Sequence, residues 1–142
     1  MDFDLDRFVA AQAPVWDAVR AELAAGAKRT HWMWFVFPQL AGLGRSGTAR
    51  FYGIASRAEA LAYVQHPLLG ARLREACDLL LPHAHRGAEA VLGPVDALKL
   101  RSCLTLFEQV APDEPVFADL LDDCYAGARD DATLALLAAG PR

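Results

Sequence analysis

Nowhere do the 142 residues run apolar for the roughly eighteen positions a membrane-spanning helix needs. The opening stretch MDFDLDRFV is acidic where a secretory leader would be basic and then apolar, so the chain is expected to reside in the cytoplasm, away from any membrane. Cysteine is scarce as well. Cys77, Cys103 and Cys124 are odd in number, far apart and set among apolar neighbours, which argues against a disulfide framework and predicts buried free thiols. Charge of one sign never accumulates: 14 Lys and Arg face 18 Asp and Glu, for a net charge of -4. Scattered basic residues in an acidic chain exclude an extended nucleic acid as the main partner and leave room only for a local basic pocket. Ser/Gly-rich linkers and internal repeats are missing too, and residues 1–142 are expected to form a single domain.

Several catalytic signatures are also missing. There is no G-x-S-x-G, no P-loop and no cysteine with an identifiable histidine partner, so nucleophilic and phosphoryl-transfer mechanisms gain no support. His83 and His85 flank Ala84, but no third ligand follows at a metal-binding spacing, and no H-E-x-x-H or paired-cysteine pattern occurs. Neither a metal nor a cofactor is expected.

What is present is apolar surface, 54% of residues against 23% charged, enough for a compact core. A domain near this size buries roughly two-thirds of the surface its unfolded chain exposes. The periodicity is helical almost throughout. Phe8, Gln12, Val15, Trp16, Val19 and Leu23 mark one face from Asp6 to Ala25, broken at Pro14 and closed by Gly26. Ser56-Arg57-Ala58-Glu59 is a capping box that starts a helix running to about Gln65, and His66-Pro67 then turns the chain. An apolar stripe from Leu69 to Leu80 predicts a further helix over Leu68 to Pro82. Pro94 opens another, with Leu98, Leu100, Cys103, Leu104 and Phe107 on its buried side. Val116 to Tyr125 fills one more, which Gly127 can end in the left-handed conformation, and Asp130 or Asp131 caps a last short helix through Leu137. Only Thr30 to Phe37 competes as a buried strand. The expected fold is all-α, a compact bundle of about six or seven helices.

The segment THWMWFVFPQLAGLGRSG, residues 30–47, concentrates aromatic surface beside one imidazole. Its tail spells G-x-G-x-x-G from Gly42 to Gly47, but Pro38-Gln39-Leu40-Ala41 separates it from any strand and the following TARFYGIAS is no nucleotide-fold helix. Two readings of the glycine tail remain: an anion-binding nest with Arg45 and Ser46, or a flexible surface loop. The aromatic cluster has two readings as well. Trp32, Trp34, Phe35 and Phe37 serve as core, or else Lys28, Arg29, His31 and Gln39 at their edge make a pocket for a flat heterocyclic ligand. His31 carries an imidazole that can act as acid or base, whereas the His66 ring suits a bond to a free backbone carbonyl. Asp96, Lys99 and Ser102 recur every third residue and so share one helix face. That face is either solvated or, turned toward His31 or Arg72, a row of pocket groups with Asp96 as general base and Lys99 as anion clamp.

Four stretches carry a family resemblance: KRTHWMWFVFPQLAGLG from Lys28, ALAYVQHPLLGARL from Ala60, GPVDALKLRSCLTLF from Gly93 and CYAGARDDATLALL from Cys124. In order and over nearly the whole chain they resemble domain-of-unknown-function family 1810, whose pattern is K-x-S-H-W-M-W-F-I-F-P-Q-L-x-G-L-G, A-Y-L-x-H-P-x-L-G-x-R-L, F-G-x-x-D-x-x-K-L-x-S-S-M-T-L-F and G-x-x-D-x-x-T-L. Thr30 stands where serine is usual, and Cys103-Leu104 where a small residue and methionine are usual. The resemblance implies a small, largely helical protein and assigns no activity. It marks Lys28, His31, Trp34, Gln39, Ser46, Tyr52, His66, Arg72, Asp96, Lys99 and Ser102 as the polar or ring-bearing motif positions. A looser likeness joins the lysine-bearing helix ending at Phe107, the Pro-bearing joint, Phe117 to Leu121 and the closing G-x-x-D-x-x-T-L to the NADAR family. Those helical proteins are linked to N-glycosidic bonds of ADP-ribose and riboflavin intermediates; no catalytic residue is transferred from them.

Together these features lead to the expectation of a hydrolase acting on a nucleotide-like or ribosyl-linked small molecule. Trp32 and Trp34 would stack a ring, Lys28, Arg45 and Arg72 would hold anionic groups, and His31 or Asp96 would move a proton. Gln39, Ser46, Tyr52, His66, Lys99 and Ser102 complete the expected binding set. The alternative is a non-catalytic module that recognises a nucleotide, a peptide or a protein partner through the same aromatic surface.

Overall fold

Side-chain caps fix where four of the helices begin in the computed structural model, which describes residues 3–140. Ser46 Oγ accepts from the Ala49 amide at 3.0 Å, Ser56 Oγ from Glu59 at 3.1 Å, and Asp130 Oδ2 from Thr133 at 3.1 Å. Each satisfies one of the backbone donors that a helix start leaves free. Glu59 completes the box one residue early, its Oε1 accepting from the Ala55 amide at 2.7 Å. His66 reverses the expected polarity. Its Nδ1 accepts from the amides of Leu68 and Leu69, each at 3.2 Å, so it caps a helix start and bonds no free carbonyl.

In chain order the helices are α1 (Asp6–Gln12), α2 (Trp16–Ala25), α3 (Met33–Val36), α4 (Gly47–Phe51), α5 (Arg57–Gln65), α6 (Pro67–Leu80), α7 (Ala88–Leu92), α8 (Pro94–Val110), α9 (Pro115–Tyr125) and α10 (Asp131–Ala139). Short 3₁₀ turns cover Ala41–Leu43 and Leu81–Arg86. The fold is all-α. More helices occur than periodicity suggests because α3, α4 and α7 are only 4, 5 and 5 residues long, too short to display a period. Among the described residues the extended backbone amounts to one isolated parallel bridge between Leu40 and Ile54. No helix among them is long and apolar enough to cross a membrane. Met1, Asp2, Pro141 and Arg142 lie outside the described residues.

Thr30 to Phe37 is a loop running into the single turn α3 rather than a strand. A strand would have sent alternate side chains to opposite faces. The helical turn instead gathers Trp32, Met33, Val36 and Phe37 inward at i, i+3 and i+4 spacing and leaves Trp34 and Phe35 half-buried on the outer side. The glycine tail is used for close packing. A Cβ on Gly44 would sit 2.3 Å from that of Ala49 in α4, so only glycine lets the two segments touch. At the end of α9 it is Ala126, with φ 54°, that takes the left-handed turn, followed by Gly127 at φ 82°. The Gly127 amide closes back on the Leu121 carbonyl at 3.1 Å.

Helix α8 is the axis of the core, packing against α5, α7, α9 and α10, while α6 packs against α2, α5 and α9. Phe107 sits between Tyr63 and Phe117, with ring centroids 5.4 and 6.0 Å away, and Tyr63 continues to Phe8 at 5.0 Å. Each ring so buried contributes roughly 1.5–3 kcal/mol. Cys77 and Cys103 lie in the same core as free thiols and Cys124 is half-buried. Burial pushes the Cys124 thiol up to about 11 and the other two further still.

Candidate functional site

Glu22 organises the site although nothing in the sequence singled it out. It occupies the last turn of α2, an unfavourable end of the helix dipole for an acid, and that misplacement was the available signal. The chain leaving α2 wraps around its carboxylate: Oε1 accepts from the amides of Arg29 at 2.7 Å and Thr30 at 3.0 Å and from Trp32 Nε1 at 3.0 Å, while Oε2 accepts from Thr30 Oγ1 at 2.7 Å. Burial by itself would raise the pKa of this acid. The hydrogen bonds from Thr30, Arg29 and Trp32 outweigh it and hold the carboxyl down at about 2. Residues 28–32 are thereby fixed in one shape.

That shape points Lys28 at α8. Its side chain is only 8% exposed, and Nζ meets Asp96 Oδ2 at 2.9 Å and the Thr30 carbonyl at 2.7 Å. Lys99, one turn along α8, reaches the other Asp96 oxygen at 3.3 Å and lies 3.9 Å from the centre of the Trp34 ring. Two ammonium groups thus share one carboxylate beneath an indole. A cleft of about 100 Å³ opens between them, with exposed His31 at its rim and Met33 in its wall. Trp34 and Lys99 also border a neighbouring cleft of about 310 Å³, which continues to Gln39, Ser102 and Asp130. Ser102 Oγ donates to Asp130 Oδ2 at 3.0 Å and ties the start of α10 to α8. Asp130, which caps α10, also borders this cleft, and its place in the G-x-x-D motif is the sequence signal for that second role.

Residues 2–137 match the family model described as Protein of unknown function (DUF1810). The chain belongs to this family. The DUF1810 chain is also similar to a crystal structure, that of the conserved hypothetical protein Rv1873 from Mycobacterium tuberculosis. The two are 54% identical, with a TM-score of 0.94, over 96% of this chain and 97% of the other. Among curated proteins no match is found.

The motif residues of this DUF1810 chain divide into two groups. Lys28, His31, Trp34, Asp96 and Lys99 converge on the first cleft, and Gln39 and Ser102 on the second. Trp32 touches the first cleft but is 1% exposed, its ring 6.2 Å from Phe37 and its Nε1 committed to Glu22. It is a wall rather than a stacking platform. Five others lie apart from both clefts. Ser46 Oγ accepts from the Ala49 amide at the start of α4, and neighbouring Arg45 is exposed. Tyr52 stacks among Phe8, Phe35 and Phe51. His66 caps α6. Arg72 lies over the Trp16 ring at 5.1 Å and donates to Gln12 Oε1 at 3.3 Å, inside a separate polar network that includes Tyr63.

Proposed function

We propose that the paired clefts around Trp34 bind a small anionic molecule of nucleotide-like or ribosyl kind, and that the chain is a cytoplasmic hydrolase of an N-glycosidic bond. The observation that carries this is the Lys28–Asp96–Lys99 cluster set against a half-buried indole. Two cations and one anion leave a net positive floor, suited to a phosphate or ribosyl-phosphate group, while Trp34 offers a flat apolar face to a base. Hydrolysis at a glycosidic carbon passes through an oxocarbenium-like state, which a nearby carboxylate stabilises while it orients water. Asp96 would take that task, and His31 at the rim would be the acid for the departing base. A second reading, binding without chemistry, draws support from the double ion pairing of Asp96, which occupies both oxygens of the would-be base.

A thermal-shift series against ADP-ribose, NAD, mononucleotides and riboflavin precursors separates the two readings. A ligand at a hundred times its Kd should add about 2.7 kcal/mol, or roughly 5–10 °C in Tm for a domain of this size. The shift should be lost in folded His31→Ala or Asp96→Asn protein, and chromatography should reveal a released base. A shift without product in wild type selects the binding module. If no compound shifts the Tm, the small-molecule proposal fails.

A further inference from the structure

We infer that the cavity enclosed by α7, the first turns of α8 and the end of α9 is a second binding site, for a small molecule carrying a phosphate or carboxylate group. The inference stands apart from the proposed hydrolase. At about 430 Å³ the cavity is larger than either cleft beside Trp34 and falls within the range of small-molecule sites. It lies round the helix from those clefts. Lys99 and Arg101 are two residues apart on α8, about 200° of rotation, so they serve different faces. Leu98 forms the ridge between them.

Three charged residues line the cavity: Arg86, Arg101 and Glu89. Arg101 is the telling one. Its Nε is buried and finds no acceptor among the described residues. An orphaned donor of this kind costs about 1–3 kcal/mol and is an exception in folded proteins. Asp130 Oδ1 forms an ion pair with Arg101 Nη2 at 3.7 Å, longer than a hydrogen bond, and leaves Nε unanswered. Asp130 also serves other partners. Its Oδ2 already accepts from Ser102, from the Thr133 amide and from Thr133 Oγ1, the last at 2.5 Å. Arg86 spends one nitrogen on the Gly26 carbonyl at 3.2 Å, leaving the rest of its fork for a ligand.

The uncharged walls add no further charge. Burial raises the Tyr125 phenol and lifts the Cys124 thiol to about 11, so both stay neutral at physiological pH. Glu89 brings one carboxylate to the wall, so the cavity carries two cations against one anion. Pro94 opens the 17-residue α8 in the cavity wall, which brings the positive end of that helix dipole to the same place. Two guanidinium groups, each able to bind an oxyanion through paired donors, line the same cavity. Apolar surface from Ala88, Ala97 and Leu98 would meet the organic body of the ligand.

The test is a phosphorus NMR titration of inorganic phosphate with the full chain, followed by displacement with acetate. Wild-type protein should broaden the phosphate line. In a Lys99→Met background, which removes a cation of the Trp34 clefts, Arg101→Gln should weaken the remaining binding at least tenfold, Arg86→Gln less, and Arg45→Gln, on an exposed loop apart from these cavities, not at all. Displacement by acetate would extend the ligand class to carboxylates, and failure to displace would narrow it to phosphates; both support an oxyanion site. Should Arg101→Gln not fold, Arg101→Lys keeps the charge without the fork and is expected to bind several-fold more weakly. Absence of broadening in wild type or in the Lys99→Met background, or equal broadening in that background with and without Arg101→Gln or Arg101→Lys, would overturn the inference.

Discussion

Glu22→Ala should lower the melting temperature by roughly 10 °C. The substitution strips four hydrogen bonds from the loop that carries Lys28 and His31 and leaves the Trp32 indole N–H buried without an acceptor. Breaking a buried network of this kind costs about 3–5 kcal/mol, and a domain of this size loses about 2–4 °C per kcal/mol. Acid titration isolates the charge itself. The carboxyl falls from an ordinary 4.5 to about 2 on folding, so its stabilisation is complete above pH 4.5 and drains away as pH drops through 2. A shift of that size is worth on the order of 3 kcal/mol. Glu22→Gln keeps the shape without the charge and should flatten the urea-midpoint curve over that window. An acid limb identical in wild type and Glu22→Gln would show that other carboxylates govern it.

Asp96→Ala should cost about 3 kcal/mol, because it leaves Lys28 and Lys99, 8% and 20% exposed, facing each other without an anion. Removing one cation as well relieves that repulsion. Lys28→Met in the Asp96→Ala background should therefore recover at least about 1 kcal/mol, giving a coupling well outside the additivity expected of independent sites. Urea melts of wild type, both single variants and the double variant measure it; additive costs would mean the cluster is no energetic unit.

Local chemistry was legible in the sequence and long-range pairing was not. The caps at Ser56 and Asp130 could be read because cap and capped amide lie three residues apart. Lys28 and Asp96 were both singled out, yet nothing in the order of residues shows that a loop after α2 reaches the first turn of α8. Tyr52, His66 and Arg72 were grouped with them through shared motif membership, and each turns out to answer a neighbour of its own: a ring cluster, a helix start and Gln12. His66 was assigned the wrong kind of partner because an imidazole both donates and accepts, and the choice depends on which backbone groups the following proline leaves exposed. The aromatic segment misled in the same way. Its β-favouring residues suit a strand, but burying four of them on one side requires a helical turn.

The thiols give this molecule a clock. Cys77 and Cys103 are sealed in the core with their pKa values driven far upward, so an alkylating reagent meets no thiolate there while the helices stay together. Half-buried Cys124 reacts ahead of them and sets the zero of time. The lag between the first label and the next two counts how often α6 and α8 open away from their neighbours in the core, a pulse rate that needs no dye, no denaturant and no engineered probe.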